Sequence, residues 1–327
     1  MSNLGRVRTL GDGLYHVIVR TVARDFLIKG KEKDILYGMV RKAAHFGWIQ
    51  IISFCILNNH LHLVVFVPQR RPVTDEELVE RLTDLYDEEK AKRITALWEF
   101  RASHGREREI KRDKAQYMDR MFNLSSFVKT FKENFTQSYN RRHTGRIGTV
   151  WGGRFKSILL DGRGRELALI VCIYVDLNPV RAGIASAPGL YPESGIGAAL
   201  RGNRDAMEGI LTLGRWVGFA NRETSPEQAV QSYLNILHGR AGGKIGSLLK
   251  ARISVGEKDT RFDPSLRGKE ISLFDMLHCR LRCMEKGRML SGKREDLLKI
   301  KGSHPSKSVL PGYHSANALR KIVVVCN

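Results

Sequence analysis

Ile51-Ile52-Ser53-Phe54-Cys55-Ile56-Leu57-Asn58-Asn59-His60-Leu61-His62-Leu63-Val64-Val65-Phe66-Val67 is the stretch that decides the architecture. It is an apolar run interrupted by a short polar turn, and its flanks read as two paired strands. Side chains two apart on a strand project to the same face. His60 and His62 therefore share a face, with Leu61 turned the other way. Two imidazoles placed like this make half of a divalent-metal site. The plainer alternative is a hairpin end with both rings in solvent.

Working outward, Leu14-Tyr15-His16-Val17-Ile18-Val19-Arg20-Thr21 is β-rich and reads as a first strand. Lys31 to Phe46 carries Ile35, Met39, Val40, Ala43 and Phe46 at helical spacing and stops at Gly47. After the His segment, Leu124, Phe127, Val128, Phe131 and Phe135 mark a second core helix, with Asn123 or Ser125 able to cap it. Ser157-Ile158-Leu159-Leu160 reads as a fourth strand. The order β-α-β-β-α-β is that of a split βαβ, so the expected class is α+β: a ferredoxin-like antiparallel sheet with helices on one face. Glu166 to Leu177 reads as a further helix with Leu167, Ile170, Val171 and Tyr174 on one side, stopped by Pro179.

Two regions stand outside this frame. Asp75 to His104 is charged and helix-prone with a thin Leu78, Leu82, Leu85 stripe, and a basic stretch follows to about Tyr117. This helical insertion, residues 73–121, packs on the core or contacts DNA, with a merely solvated helix an equal alternative. Beyond Gly202 the composition changes. Ser225-Pro226-Glu227-Gln228 has capping-box spacing and opens a helix closed near Gly239. Ile271 to Met284 is again apolar-periodic. The expected division is a domain over 1–195 and a C-terminal helical appendix with an irregular tail over 196–327.

The 327 residues hold 55 Lys and Arg against 34 Asp and Glu, a net charge of +21. That excess favours a polyanionic partner bound through phosphate neutralisation. A hydrophobic share of 42% is enough for a packed core. No stretch approaches the ~18 apolar residues of a membrane span. The start lacks a signal-peptide core, and the five cysteines are irregularly spaced, so the expectation is a reducing cytoplasm with no membrane partner. His278-Cys279 with Cys283 lacks a fourth ligand for zinc.

Three blocks together resemble the single-tyrosine HUH transposases of bacterial insertion sequences, and among them the REP-associated tyrosine transposases. They are Asn58-Asn59-His60-Leu61-His62 after a strand, Gly148-Thr149-Val150-Trp151-Gly152-Gly153-Arg154-Phe155-Lys156-Ser157, and Tyr174-Val175-Asp176-Leu177-Asn178-Pro179-Val180-Arg181-Ala182-Gly183. The resemblance covers roughly Leu10 to Gly183. It implies that His60 and His62 bind Mg²⁺ or Mn²⁺, that Tyr174 attacks a DNA phosphate, and that Asn178 completes the metal shell. It further implies cleavage and strand transfer of single-stranded or hairpin DNA through a 5′-phosphotyrosine, in a cytoplasmic, nucleoid-associated protein that is a monomer or a homodimer.

The residue types make sense chemically. A phenol is mostly neutral at physiological pH, so it needs a polarised phosphate, which a Lewis acid supplies. Positions i and i+4 share a helix face, so Tyr174 and Asn178 can address one cation. Asn178 precedes proline, which biases it away from helical geometry. Tyr139, at the end of the second core helix, is the rival nucleophile, and Asp176 lies off the Tyr174 face as a solvated or ion-paired group. Arg141, Arg142, Arg146, Arg154, Lys156 and Arg181 are the candidate phosphate contacts, with Trp151 as a stacking platform or, equally, a core plug. The competing functions are a binding module that has lost catalysis and a metallohydrolase that uses water, for which Tyr174 is dispensable.

Overall fold

The computed structural model describes residues 12–160 and 166–239, together with short strands at Arg8–Thr9, Arg252–Ser254, Glu270–Ser272, Ile300–Lys301 and Ile322–Val323. Four longer strands form the sheet: β1 (Gly13–Arg20), β2 (Gln50–Ile56), β3 (His60–Val67) and β4 (Lys156–Leu160). Their spatial order is β2-β3-β1-β4, with Ile322–Val323 pairing beside β4. All neighbours are antiparallel. Strands β1 and β2 thus run parallel with β3 inserted between them, and their connection is helix α1 (Lys31–Phe46). Strands β3 and β4 likewise flank β1, and the second half of their connection is α5 (Leu124–Arg142). This is the split βαβ arrangement expected, in an α+β fold.

Alternation along the strands sorts their side chains onto two faces. Tyr15, Val17, Val19, Leu61, Leu63 and Val65 are buried on one. Helix α1 covers it, with Tyr37 stacked on Phe54 at 4.3 Å between ring centroids, and α5 lies along α1. Asn123 caps α5 as expected, accepting from the backbone N–H groups of Ser125 and Ser126.

The other face carries His16, Ile18, Arg20, His60, His62 and Val64, as the register of β1 on β3 requires. It is not open. Helices α6 (Glu166–Asp176), α7 (Asn178–Arg181), α8 (Gly195–Ala199), α9 (Arg204–Val217) and α10 (Pro226–Leu237) form a second layer, with α6 and α9 in contact with the sheet. Trp216 of α9 meets Phe66 edge-on at 5.4 Å, and Gln50 donates to Thr212 at 2.8 Å. Register slips between Ile51 and Ser53, a bulge in β2. The α9 backbone sits on that bulge: a Cβ at Gly209 would lie 2.6 Å from the Ile51 carbonyl oxygen. Helices therefore cover both faces rather than one.

The expected boundary at 195 also falls inside one packed unit. Ile196, Ala206, Ile210, Leu213, Tyr233 and Ile236 belong to the same continuous core as the sheet. The appendix reading failed because composition changes at Gly202 while the apolar faces of α9 and α10 continue inward. The Ser225 capping box is formed.

The insertion is three helices, α2 (Asp75–Leu85), α3 (Glu88–Ser103) and α4 (Glu107–Met118). Leu78, Leu82 and Leu85 form its predicted stripe, packing with Phe46, Trp98 and Met121 in a satellite core at the end of α1. Of the helix expected over Ile271 to Met284, Ile271 and Ser272 stand in a short strand against Arg252 and Ile253. Its remaining residues, with His278, Cys279 and Cys283, lie outside the described residues, as does most of the tail.

Candidate active site

The turn between β2 and β3 is fixed by its own asparagines. The Asn58 carbonyl accepts from Ile28 N–H at 2.9 Å, and the Asn59 carbonyl from Thr21 N–H at 2.9 Å. The Asn59 side chain donates to the Arg24 carbonyl at 3.1 Å. Its oxygen accepts from Nδ1 of His60 at 2.7 Å, which leaves Nε2 of that ring without the proton.

His62 is wholly buried. Its Nδ1 lies 2.9 Å from Nε2 of His16, and its Nε2 lies 3.2 Å from the side-chain nitrogen of Asn178. The rings of His60 and His62 are 5.0 Å apart and nearly perpendicular. Tyr174 packs edge-on against both buried imidazoles, at 5.8 Å from His62 and 6.0 Å from His16. The four residues singled out from sequence, His60, His62, Tyr174 and Asn178, thus meet on one face of the sheet. Tyr139 does not join them. It is buried on α5, stacked on His143 at 4.0 Å with the Arg146 guanidinium over its ring.

Pro179 acts as the sequence predicts, but mildly. Helix α6 ends at Asp176, Leu177 serves as the next N-cap, and Asn178 opens α7 with Pro179 in its first turn. The Leu177 N–H still bonds the Ile173 carbonyl at 2.9 Å, so the path stays nearly continuous and Asn178 remains about a turn from Tyr174.

Asp176 is neither solvated nor ion-paired, contrary to the sequence reading. It is buried, and its carboxylate accepts from Ser53 Oγ at 2.9 Å, Tyr233 Oη at 3.0 Å and Ile196 N–H at 2.9 Å. Burial pushes its pKa up to about 6 against the opposing pull of those hydrogen bonds. One carboxylate therefore ties the end of α6 to β2, α8 and α10, fixing the segment between Tyr174 and Asn178. Nothing local announced this, because Ser53, Ile196 and Tyr233 are scattered along the chain.

The imidazoles are held neutral. Burial is the main cause, lowering His16 to about 3, His60 to about 4 and His62 well below the ordinary range. Arg20 and Arg24 add to the lowering at His60, and His16, His60 and Arg20 to that at His62. Neutral rings keep lone pairs available for a cation at neutral pH. Among the described residues, no group of three or more His, Cys, Asp or Glu forms a ready metal cage. The donor set is two imidazoles, each with Nδ1 engaged elsewhere, plus a carboxamide that carries an oxygen acceptor. That set fits a divalent ion with positions left for water and phosphate, and its nitrogen content suits Mn²⁺ better than Mg²⁺.

Cations border the site. Arg20 pairs with His60 across the β1–β3 ladder, and Lys156 pairs with Ile18, which in turn pairs with His62. Both therefore lie on the His face of the sheet. Lys156 is among the phosphate contacts expected from sequence; Arg20 is not, because it reads as the polar end of a strand. Arg141, Arg154 and Arg181 are exposed, whereas Arg142 is engaged by Glu32 at 2.6 Å and Arg146 is half-buried against Tyr139. Trp151 takes the core-plug alternative: it is 3% exposed and donates its indole N–H to the Lys132 carbonyl at 2.9 Å. A further cavity of about 680 Å³ lies beside it, bordered by Lys129, Lys132 and Arg154.

No family model matches the chain, and no curated protein does. Among solved structures, a REP-associated tyrosine transposase bound to a REP hairpin is similar over 59% of this chain and 82% of that one, with 16% identity and a TM-score of 0.36. The chemistry of this site accordingly stands on its own residues.

Proposed function

We propose that this protein is a metal-dependent single-stranded DNA endonuclease and strand transferase with Tyr174 as nucleophile. The observation that carries the reading is the meeting of His60, His62, Asn178 and Tyr174 on one sheet face, from two separate segments of the chain. His60, His62 and Asn178 would hold the cation, which when bound supplies a Lewis acid to a non-bridging phosphate oxygen. Arg20 and Lys156 would take neighbouring phosphates and set the strand's register. The Tyr174 oxygen attacks phosphorus and the bond to the 3′-oxygen breaks. The phenol proton passes through water to that 3′-oxygen, so a 5′-phosphotyrosine and a 3′-hydroxyl result with no net change in protons. The phosphoester energy is kept for rejoining to another end, which hydrolysis would discard.

A binding module of this architecture would stack bases on an exposed sheet face. Here α6 and α9 cover that face, which favours chemistry at a buried site over a stacking platform. The net charge of +21 suits a DNA partner, and no helix among the described residues is long and apolar enough to cross a membrane.

The deciding experiment incubates the protein with hairpin-bearing single-stranded DNA and Mn²⁺ or Mg²⁺ and looks for a denaturant-resistant adduct. The expected result is an adduct that is absent in Tyr174→Phe and in His60→Ala. Cleavage without adduct would establish a hydrolase using water. Retention of the adduct in Tyr174→Phe, with loss in Tyr139→Phe, would reassign the nucleophile.

A further inference from the structure

His16 has no place in the reading above, yet it is the most unusual residue near the site. It stands in the middle of β1, is wholly buried, and sits where a strand between two helical layers would take Val or Ile. Its hydrogen bond is to His62, Nε2 to Nδ1 at 2.9 Å, with the rings stacked at 5.2 Å and 18°. Its other nitrogen, Nδ1, has no partner among the described residues. An imidazole buried with one end unsatisfied is retained against a cost, so it calls for a reason.

The proton inventory supplies one. The side-chain nitrogen of Asn178 can only donate, so Nε2 of His62 accepts and is unprotonated. A neutral ring must then carry its proton on Nδ1, which lies 2.9 Å from Nε2 of His16. His16 Nε2 is the acceptor, and its own proton sits on the orphaned Nδ1. His60 reaches the same end differently, with Nδ1–H held by the Asn59 carboxamide. Both rings thereby keep an Nε2 lone pair, that of His62 facing Asn178.

We propose that His16 is a positioning residue: by accepting from Nδ1–H of His62 it fixes the tautomer and the ring plane that present Nε2 to a divalent cation. Removing such an outer partner weakens metal affinity by about 10–100-fold. The inference rests on the metal role proposed for His62, but its first half, the tautomer, can be read without any metal.

The test begins with ¹⁵N NMR of histidine-labelled, metal-free protein at neutral pH. The expected signature is His62 protonated on Nδ1 with a bare Nε2. Finding the proton on Nε2 overturns the proposal, and because wild type is used, folding of a variant does not enter. Mn²⁺ affinity is then measured by electron paramagnetic resonance on wild type, His16→Leu and His16→Gln. The Leu variant is expected to bind roughly 10–100-fold more weakly, and Gln, whose oxygen falls near the position of Nε2, to recover most of the loss. Equal affinity in wild type and His16→Leu removes the role from His16 while leaving the metal site. Correct tautomer with no Mn²⁺ uptake by wild type instead overturns the metal reading, and the purpose assigned to His16 with it.

Discussion

The two faces of one sheet divide the work of this protein. On the face under α1, the strands present Tyr15, Val17, Val19, Leu61, Leu63 and Val65, and every one is buried. On the face under α6 and α9, the same two strands present His16, Arg20, His60 and His62. Alternation with a period of two lets one pair of adjacent strands do both, since neighbouring residues never compete for one environment. The first face is apolar packing and contributes roughly 2 kcal/mol for each large side chain buried. The second carries three imidazoles held neutral by burial, a stability cost placed where a cation would use it.

The contrast breaks most sharply at the proposed nucleophile. Tyr174→Phe is expected to remove all denaturant-resistant adduct while leaving the circular dichroism spectrum and the urea midpoint near wild type. A variant that lost adduct only because it unfolded would erase the distinction between the faces. Next in size, Leu63→Ala should destabilise by about 2–5 kcal/mol in urea titration, because it empties a fully buried site. His60→Ala, at a half-buried position three residues away on the other face, should shift the same titration by about 1 kcal/mol or less.

Asp176 sharpens the comparison through pH. Its folded pKa of about 6 lies above the ordinary 3.8. The stability it contributes is therefore complete below about pH 4 and is lost as pH rises through 6, a change of roughly 3 kcal/mol. The buried histidines act in the opposite sense, losing stability as pH falls below 6.5. Subtracting wild type from Asp176→Asn isolates the carboxylate: the difference should tilt toward the Asn variant between pH 4 and 7. A flat difference across that window would show that the carboxylate is not desolvated as its surroundings imply. The smallest expected effect is at the rim, where Lys156→Ala should lower the slope of log affinity against log salt for single-stranded DNA by about 1.

What the sequence disclosed follows from range. The order β-α-β-β-α-β, the helix stops at Gly47 and near Gly239, and the His60–His62 pair are local patterns of spacing, and they are found as read. Tyr174 and Asn178 were legible because they sit about a turn apart. His16 was not: its bond to His62 spans 46 residues and is created only when β1 pairs with β3. Asp176 was misread for the same reason, since a charged residue in isolation is best solvated and only the assembled β2, α8 and α10 give it its donors. Trp151 could be read either way, and tertiary packing chose the interior.

That triple anchorage has a consequence for anyone trimming the chain. A cut placed at residue 195, the expected boundary, strips away both Tyr233 and the Ile196 amide and leaves a buried anion with only its Ser53 and Gly195 donors. The shortened protein would keep every group assigned to the proposed chemistry and still lose most of the brace at the end of α6, so residues 196–237 are better understood as scaffolding for the proposed reaction than as an accessory.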